Sequence, residues 1–322
     1  MKRILVQGPL HASARETLEA RGDIEIDMRE NLTAETLAGA LADIDALILR
    51  LTPLTGAAID AAPKLKVVSR LGVGYDHVDI PALTRRGIPL AIARDALSVS
   101  LAEHTLMLML GVSRNIALMD RSTRTGKYAV RFSMFGQELL GKTVLIIGLG
   151  GIGREAAKRC AAFGMEIIAS GRDGSRKAAE EAGYRFVADF RDALGEADFV
   201  SLHLPANADG SALIGEAELA AMKPGACLIN TARGSLVDEN ALHAALTAGT
   251  LRGAGLDVTR DEPPAPDNPL LSLDNVLFTP HNSALCDETI ARVSKTCVEN
   301  ALAALDGRLD PYFAVNPEVL GT

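Results

Sequence analysis

The sequence predicts an α/β protein built from two Rossmann-like, doubly wound parallel sheets, with one domain inserted into the other. Short β-rich segments alternate with helical ones along most of the chain, which is the pattern of parallel strands joined by crossover helices. A glycine-rich turn follows a strand in mid-chain and starts a second series of the same kind. A long amphipathic segment then follows the last strand of that second series.

The first series of elements predicts one sheet. Its strands and helices are expected, in order, at residues 4–7, 13–20, 24–28, 34–41, 46–49 and 67–70. The chain starts with basic residues, but its first apolar run is short and ends at Gly8 and Pro9. We therefore expect a first strand at this position and not a signal peptide.

The second series predicts a larger sheet. Its strands are expected at residues 143–147, 166–170, 199–203, 226–230, 253–257 and 276–279. A helix at 98–113 leads into this series, and the helix at 287–305 follows it and is free to pack on the first sheet. The sequence thus predicts a discontinuous domain at 1–97 and 285–322, an inserted domain at 98–284, and a cleft between them.

The glycine-rich turn has the spacing of a dinucleotide-binding site. Directly after strand 143–147, the residues of the turn expected to contact a dinucleotide are Gly148, Gly150, Gly151, Ile152 and Gly153. The first glycine allows a tight turn, the second removes a Cβ that would hold the backbone away from a pyrophosphate, and the third lets helix and strand pack closely. A helix is predicted from 154 to 162, so its free N–H groups would face the phosphates. The inserted domain is accordingly predicted to bind the cofactor, and the discontinuous domain the substrate.

The next strand ends in residues that bear on the choice of cofactor. A site specific for NAD usually carries Asp or Glu here to bind the ribose hydroxyls, but this strand ends in Ser170-Gly171-Arg172. A missing carboxylate removes the repulsion against a 2′-phosphate, and the Arg172 guanidinium can pair with that phosphate. We predict that NADP(H) is preferred and that NAD(H) is possible. The alternative is that Arg172 is only solvated and Asp173 serves the ribose.

Composition excludes several classes of function. The 322 residues suffice for two domains, and a net charge of −8 without a block of basic residues argues against nucleic-acid binding. The most apolar helix, 101–112, is too short to span a bilayer, so no membrane role is expected. The four cysteines lack C-x-x-C spacing and are expected to be reduced core residues of a cytoplasmic protein. No metal site is predicted.

Three polar residues follow the strands of the second series and are candidates for catalysis. Arg233 follows strand 226–230, while Glu262 and His281 follow the next two strands. Because ligands bind beyond the carboxyl ends of parallel strands, these side chains are expected to meet where a nicotinamide would lie. Each has a structural alternative: a loop cap, a solvated turn carboxylate, or a histidine satisfied within the fold.

The three residue types suit hydride transfer to a 2-keto acid. Arg233 can bind the substrate carboxylate and polarise the adjacent carbonyl as negative charge grows on its oxygen. His281 can give the proton to that oxygen or remove it in the oxidative direction. Glu262 can bind the other ring nitrogen, which fixes the tautomer and favours the charged imidazole.

With these residues in view, the chain resembles the D-isomer-specific 2-hydroxyacid dehydrogenases over nearly its whole length. The matching stretches are Gly72–Asp76, Ala102–Thr105, Gly148–Gly153, His203–Pro205, Asn230–Asp238, Leu256–Val258 with Glu262–Pro263, and Thr279–His281. By this resemblance, Arg233, Glu262 and His281 match the catalytic arginine, glutamate and acid/base histidine of the family. Asp257 matches a residue that holds the nicotinamide carboxamide. The other implied cofactor contacts are Leu204, Pro205, Thr231 and Ala232.

The resemblance also implies a substrate site in the discontinuous domain. Val73 and Gly74 match the loop whose backbone N–H groups hold the substrate carboxylate, and flanking glycines let such groups converge on an anion. Arg50, at the end of strand 46–49, is a weaker candidate for the same cleft. His104 and His203 are expected to be structural. A homodimer through the 98–113 region is also implied.

Two departures from the family pattern refine the expected function. Ser170-Gly171-Arg172 is similar to the ending found in glyoxylate and hydroxypyruvate reductases, while Asn282-Ser283 replaces the small residues that commonly follow the catalytic histidine. Because the chain ends soon after its last predicted helix, we also expect that it lacks the regulatory extension of long phosphoglycerate dehydrogenases. We expect NADPH-dependent reduction of a small 2-keto acid. The alternatives are a dinucleotide-sensing protein similar to transcriptional corepressors, and a family member acting on another substrate with NAD.

Overall fold

The computed structural model describes residues 1–321 and, at Asp173, the backbone alone. The chain forms two compact units. The first is discontinuous and comprises Met1–Leu97 and Leu285–Thr322, and the second comprises Ser98–Ala284. The substrate and cofactor roles predicted for these two parts stay predictions.

The first unit contains a five-stranded parallel sheet in the order β2-β1-β3-β4-β5. Its strands are Lys2–Gln7 (β1), Ile24–Arg29 (β2), Ala46–Leu49 (β3), Val67–Arg70 (β4) and Leu90–Ile92 (β5). Its α-helices are Ala12–Glu19 (α1), Ala34–Ala40 (α2), Gly56–Asp60 (α3), Ile80–Arg85 (α4) and Asp287–Leu305 (α11). Short 3-10 helices lie at Pro311–Phe313 and Pro317–Val319.

The second unit contains a seven-stranded parallel sheet in the order β12-β11-β10-β9-β6-β7-β8. Its strands are Thr143–Ile147 (β6), Glu166–Ser170 (β7), Arg185–Val187 (β8), Phe199–Leu202 (β9), Cys227–Asn230 (β10), Gly253–Leu256 (β11) and Val276–Phe278 (β12). Its α-helices are Ser98–Ser113 (α5), Ile116–Arg124 (α6), Gly151–Ala162 (α7), Asp173–Glu181 (α8), Glu216–Ala221 (α9) and Glu239–Thr247 (α10). Its 3-10 helices lie at Tyr128–Phe132, Phe190–Ala193, Gly234–Leu236 and Pro269–Ser272.

Local sequence explains how these elements begin and why they are buried. Strands β3 and β10 are buried along their whole length, as expected for parallel strands covered on both faces. The side chain of Asp238 accepts hydrogen bonds from the first N–H groups of α10, and Thr33 caps α2 in the same way. Apolar side chains form separate clusters on each face of each sheet, so the predicted doubly wound architecture is confirmed.

The structure corrects the predicted elements in three ways. Strands β5 and β8 and helices α3 and α4 were not predicted, because segments of three to six residues show too little periodicity to be recognised. Helix α7 begins at Gly151, three residues before the predicted start, because the glycines of the turn form its first helical residues despite their low helix propensity. Strands β9, β10, β11 and β12 are each one residue shorter than predicted.

Three of the four cysteines, Cys160, Cys227 and Cys297, are buried thiols, as expected. Burial raises the pKa of each of these three thiols to about 12, so they are unreactive at neutral pH. Cys286 is exposed, and the expectation of a core position was wrong for it. It lies just before α11, where the chain has not yet entered the core. The cytoplasmic location stays a prediction.

Among residues 1–321, no helix combines the length and the apolar character needed to cross a membrane.

Candidate active site

The glycine-rich turn lies where the order of the larger sheet reverses direction. Strands β6 and β9 are neighbours there, and the chain leaves them toward opposite halves of the sheet. Gly148 has a φ of +101° and lies so close to β9 that a Cβ on it would stand 2.5 Å from the carbonyl oxygen of His203. A side chain is excluded by both conformation and space. Ligands of doubly wound sheets bind at such a reversal point.

Two further glycines shape the turn in different ways. A Cβ on Gly153 would overlap the carbonyl oxygen of Gly148, so this glycine allows α7 to pack against the turn. A Cβ on Gly150 would meet no atom within 4 Å, and this exposed residue is the N-cap of α7. Helix α7 has twelve residues, and its first N–H groups face this open space. Such a space can hold a pyrophosphate, because the N-terminus of a helix favours an anion. The turn therefore fits the dinucleotide predicted from its sequence.

We expect Gly153→Ala to weaken NADPH binding by at least about tenfold and to destabilise the protein by roughly 1–3 kcal/mol, because the added methyl group overlaps backbone that cannot move aside. Gly39→Ala in α2 is the matched control. A Cβ at Gly39 meets nothing within 4 Å, so this change should leave binding intact and stabilise the fold by up to about 1 kcal/mol. Thermal unfolding and NADPH fluorescence titration measure both effects. Equal behaviour of the two variants would contradict the packing role of Gly153.

The end of β7 presents an exposed arginine next to the turn. Arg172 is the N-cap of α8, and none of the described side chains, which do not include that of Asp173, is hydrogen-bonded to or paired with its guanidinium. The neighbouring cations are engaged elsewhere: the Arg176 guanidinium lies 4.6 Å from the Phe186 ring centroid, and Lys177 lies 3.8 Å from Glu181. The alternative ribose partner, the side chain of Asp173, lies outside the described residues.

Glu262 and His281 form a pair at the carboxyl ends of β11 and β12. Nδ1 of His281 lies 2.6 Å from Oε2 of Glu262. Because an ionised carboxylate only accepts hydrogen bonds, Nδ1 carries the hydrogen and Nε2 is left for another molecule. Both side chains remain 40–51% exposed. The pair thus presents an oriented imidazole at the surface of its unit.

The backbone of His281 has an uncommon conformation. Its φ is +49°, in the left-handed region that residues with side chains rarely adopt. The N–H of His281 donates to the carbonyl of Asp257 at 2.8 Å. The buried carboxylate of Asp257 accepts from the N–H groups of Asn282 and Ser283 at 3.0 and 3.1 Å. Asp257, the residue after β11, therefore holds three consecutive N–H groups of the turn that carries the imidazole.

Arg233 follows β10 in a loop that is fixed from two sides. The buried side chain of Asn230 donates to the carbonyl of Arg233 at 2.8 Å and accepts from the N–H of Ala232 at 3.0 Å. A Cβ on Gly234 would overlap the backbone of Thr259, so only glycine lets this loop touch the one that leads to Glu262. Arg233 Nη1 donates to the carbonyl of Ala232 at 2.7 Å. Sequence reasoning had assigned no role to Asn230.

The other predicted cofactor contacts also lie at strand ends of this unit. Thr231 and Ala232 are buried after β10, and the Thr231 hydroxyl is 3.0 Å from that of Thr105 on α5. Leu204 and Pro205 follow β9, and the Leu204 side chain would lie 2.9 Å from a Cβ on Gly148. Leu204 thus lies beside the glycine turn, and the role of all four residues in cofactor binding stays a prediction.

A cavity of about 420 Å³ adjoins the pair formed by Glu262 and His281. Its lining includes Glu262, Pro263, Pro264, Leu271, Phe278 and His281. The apolar members reduce the access of water to one side of the pair, which strengthens the hydrogen bond between the carboxylate and the imidazole.

The predicted carboxylate loop lies in the first unit, after β4. Gly72 has a φ of +143°, and Arg70 spans the loop by donating to the carbonyl of Gly74 at 2.7 Å and to that of Leu71. Within residues 1–321, no backbone carbonyl accepts from the N–H groups of Val73 and Gly74. Two free N–H groups on a braced loop can bind a carboxylate. Sequence reasoning did not predict the hydrogen bonds that Arg70 donates across this loop.

Arg50 lies elsewhere in the first unit, at the end of β3. It is exposed and lines a cavity of about 650 Å³ together with Gln7, Glu30 and Thr52. Its N–H donates to the side-chain oxygen of Gln7 at 2.9 Å. A role for Arg50 in substrate binding stays a prediction.

His104 and His203 were expected to be structural. His203 Nε2 lies 2.9 Å from the hydroxyl of Ser201, and burial lowers the pKa of His203 to about 4, so it is neutral at physiological pH. His104, on α5, lies 2.8 Å from the hydroxyl of Thr279 and 3.4 Å from the carboxylate of Asp257. His104 is thus joined to the turn that carries His281.

Known proteins are similar to this chain in sequence and in fold. The family model of the D-isomer specific 2-hydroxyacid dehydrogenase, NAD binding domain, matches residues 106–283. A D-3-phosphoglycerate dehydrogenase of Methanocaldococcus jannaschii is 42% identical over 320 residues, which are 99% of this chain and 60% of that protein. A glyoxylate reductase of Korarchaeum cryptofilum is 38% identical over 282 residues, 86% of this chain and 84% of that one.

A solved structure has the same architecture. The NADPH-dependent glyoxylate/hydroxypyruvate reductase of Sinorhizobium meliloti, in complex with citrate, superimposes with a TM-score of 0.83 at 31% identity and covers 98% of both chains. The present chain spans about 60% of the length of the D-3-phosphoglycerate dehydrogenases it matches. The extent of these matches and the motifs at the strand ends lead to one conclusion: the chain belongs to the D-isomer specific 2-hydroxyacid dehydrogenase family.

Proposed function

We propose that this protein reduces a small 2-keto acid of the glyoxylate or hydroxypyruvate type to the D-2-hydroxy acid with NADPH. The observation that carries the proposal is the pairing of His281 with Glu262 at 2.6 Å, at the strand edge that also carries Arg233. Relatives named glyoxylate reductase and hydroxypyruvate reductase support the substrate class. The substrate and the direction of the reaction are proposals, as is the cofactor preference.

The cofactor would be held by the glycine turn, with Arg172 on the 2′-phosphate, Asp257 at the carboxamide, and Leu204, Pro205, Thr231 and Ala232 as further contacts. When bound, it supplies the hydride. His281 holds a proton at Nε2 and delivers it to the keto oxygen. Glu262 accepts from Nδ1–H, which orients the ring and stabilises its charged form.

The substrate carboxylate would be bound by the N–H groups of Val73 and Gly74 and by the guanidinium of Arg233. Arg233 also stabilises the negative charge that grows on the keto oxygen as it becomes an alcohol. Arg50 is a further candidate for substrate binding. These groups fix the orientation of the substrate, and His281 completes the reaction by proton transfer.

Absorbance of NADPH at 340 nm tests the proposal. Glyoxylate, hydroxypyruvate, pyruvate and phenylpyruvate are offered as substrates, and we expect the first two to give the highest kcat/KM. The identity to D-3-phosphoglycerate dehydrogenases favours a second candidate, oxidation of a phosphorylated 2-hydroxy acid, so 3-phosphoglycerate with NAD⁺ is assayed in parallel. Turnover of that substrate alone would reject the first proposal. No turnover with any substrate would favour a dinucleotide-sensing binding protein.

The preference for NADP(H) rests on Arg172. We expect NADPH to bind more tightly than NADH, and Arg172→Ala to weaken NADPH binding by about tenfold while changing NADH binding less than twofold, because only NADPH carries the 2′-phosphate. Arg176→Ala is the control, since that guanidinium already lies over Phe186. The family model describes an NAD-binding domain, and solved relatives in complex with NADPH or NADP also exist. Equal or tighter binding of NADH by the unchanged protein would refute the preference.

We also propose that the protein is a homodimer. Most of α5 is buried within its own unit, but the segment 128–140 presents a group of exposed apolar side chains. They are Tyr128, Phe132, Met134, Phe135 and Leu140. Several large apolar side chains exposed within one short segment are typical of an interface. The contact is thus proposed at this segment, next to the α5 region implied by the sequence.

Light scattering after size-exclusion chromatography tests the dimer. We expect twice the mass of one chain, and a monomer after Phe132→Glu with Phe135→Glu, because two buried charges would destabilise an apolar interface. Met28→Glu, at an exposed site on β2, is the control and should stay dimeric. A monomeric parent protein, or a double variant that stays dimeric, would reject the proposed interface.

A further inference from the structure

We propose that His104 and Thr279 are positioning residues for His281 and act on it through the buried carboxylate of Asp257. The inference rests on the proposed role of His281 as the acid/base group. The sequence assigned Asp257 to the cofactor and His104 to the fold alone. In the structure, the three side chains form a continuous chain of contacts inside the second unit, and that chain ends at the turn of residues 279–283.

The direction of each hydrogen bond can be assigned. The hydroxyl of Thr279 lies 2.6 Å from Oδ1 of Asp257 and 2.8 Å from Nε2 of His104. Because an ionised carboxylate accepts only, the single hydroxyl hydrogen must point at Asp257. The oxygen of Thr279 then accepts from Nε2–H of His104. The order is therefore His104 to Thr279 to Asp257, with each group donating to the next.

The carboxylate at the end of this chain is ionised. Burial opposes the charge of Asp257, but the hydrogen bonds from Ser283, Thr279 and Asn282 outweigh it and hold its pKa below the ordinary value. Burial lowers the pKa of His104, and the nearby charge of Asp257 only partly offsets this effect. A neutral His104 still donates through Nε2, so each hydrogen bond in the series from His104 to Thr279 to Asp257 keeps its direction.

Helix α5 contacts the His281 turn at two points on the same face. His104 reaches Thr279 at the start of the turn, and the Ser100 hydroxyl, one helical turn earlier, donates to the carbonyl of Ser283 at 2.5 Å. Asp257 fills the space between these points and binds the three N–H groups of residues 281–283 through its carbonyl and carboxylate. The left-handed conformation of His281 is thus fixed from a helix and a strand end together.

The role of this hydrogen-bonded series is to set the position of the His281 imidazole. None of its members is proposed to exchange a proton with the substrate. A general acid loses efficiency when its nitrogen is displaced by a fraction of a hydrogen-bond length, and displacements near 1 Å can cost 10²-fold. Removing the Thr279 hydroxyl would leave Asp257 with one donor fewer and Nε2–H of His104 without its acceptor. The turn would then relax, while the cofactor turn at Gly148, on other strands, would not.

The experiment compares Thr279→Val, which keeps the shape and removes the hydroxyl, with Thr279→Ser, which keeps the hydroxyl. With glyoxylate and NADPH, we expect Thr279→Val to lower kcat about 10- to 100-fold, with KM for glyoxylate changed less than about threefold. Thr279→Ser should stay within about threefold of the parent protein. His104→Ala and His104→Gln repeat the comparison from α5, because the amide nitrogen of glutamine can replace Nε2–H, and they carry the test if Thr279→Val does not fold.

Hydrogen exchange of the backbone amides gives a readout that needs no substrate. The N–H groups of Asn282 and Ser283 donate to Asp257 and should exchange at least about tenfold faster in Thr279→Val, with the exchange of β6 amides and the thermal midpoint unchanged. If the parent protein reduces no 2-keto acid, the proposed function fails. Hydrogen exchange still tests whether Thr279 and Asp257 hold the turn of residues 279–283. Unchanged exchange in Thr279→Val overturns the inference. So does an equal loss of kcat in the valine and serine variants, or a loss that only follows a lower thermal midpoint.

Discussion

Replacing His281 with alanine is expected to lower kcat for reduction of the keto acid by about 10²- to 10⁴-fold at neutral pH. The imidazole is the group placed to supply a proton at Nε2, and its other nitrogen is already committed to Glu262 at 2.6 Å. General acid catalysis contributes an effect of this size. The glycine turn lies at the ends of different strands, so the dissociation constant for NADPH should change less than about threefold. Stopped-flow absorbance and fluorescence titration measure the two quantities.

Two variants separate proton transfer from packing. His281→Gln keeps a polar side chain of similar length but supplies no proton, so it should be as slow as the alanine variant. Glu262→Gln keeps the size of the side chain and removes the charge, and we expect an intermediate loss because the imidazole remains while its charged form loses a partner. A His281→Gln protein with parental kcat would show that another group delivers the proton.

Replacing Arg233 with alanine is expected to lower kcat/KM by about 10³-fold, which corresponds to roughly 4 kcal/mol of transition-state stabilisation. The guanidinium is proposed to bind the substrate carboxylate and to face the oxygen on which negative charge develops. Its loop is fixed independently by Asn230 and by the close approach of Gly234 to Thr259, so the backbone should survive the change. Steady-state kinetics with glyoxylate and NADPH measure the loss.

Lysine at the same position is the informative control. Arg233→Lys keeps the charge but loses the planar pair of donors that fits a carboxylate, so we expect it to recover only part of the activity. The KM for NADPH should stay within about threefold in both variants. A full recovery with lysine would mean that Arg233 acts by charge alone, and no loss with alanine would remove it from the proposed mechanism.

Long elements were predictable because their sequence patterns are long. Helices α5 and α11 and strands β6 and β7 are observed at their predicted bounds. Each is either a continuous apolar strand next to a turn or a helix of at least sixteen residues, of which α5 is apolar around most of its surface and α11 has an apolar face. Strands β5 and β8 have only three residues each and are defined by pairing with a neighbouring strand, which the local sequence does not encode.

The position of the candidate site residues was predictable, while their roles in catalysis stay proposals. Arg233, Glu262 and His281 could be recognised because charged residues follow buried strands and the carboxyl ends of parallel strands share one edge. The link from His104 to Thr279 joins residues 175 positions apart and depends on how α5 packs on the sheet. The brace of Arg70 on the loop before Gly74 likewise depends on backbone conformation at Gly72. Neither follows from spacing in the sequence.

Helix α11 has a consequence for the order in which the protein is made. It covers one face of the smaller sheet, where Cys297, Val298 and Ala301 pack with Ile4 and Val67. The ribosome reaches α11 only after roughly 190 residues of the inserted unit, which takes about 10 to 40 s. During that interval this apolar face of the nascent first unit lacks α11 and is covered by α1, which contributes Ala14 and Leu18 to the same cluster. The inserted unit is contiguous and can complete its core first. The first-made sheet is therefore expected to be the last to fold and the part that depends most on chaperones during synthesis.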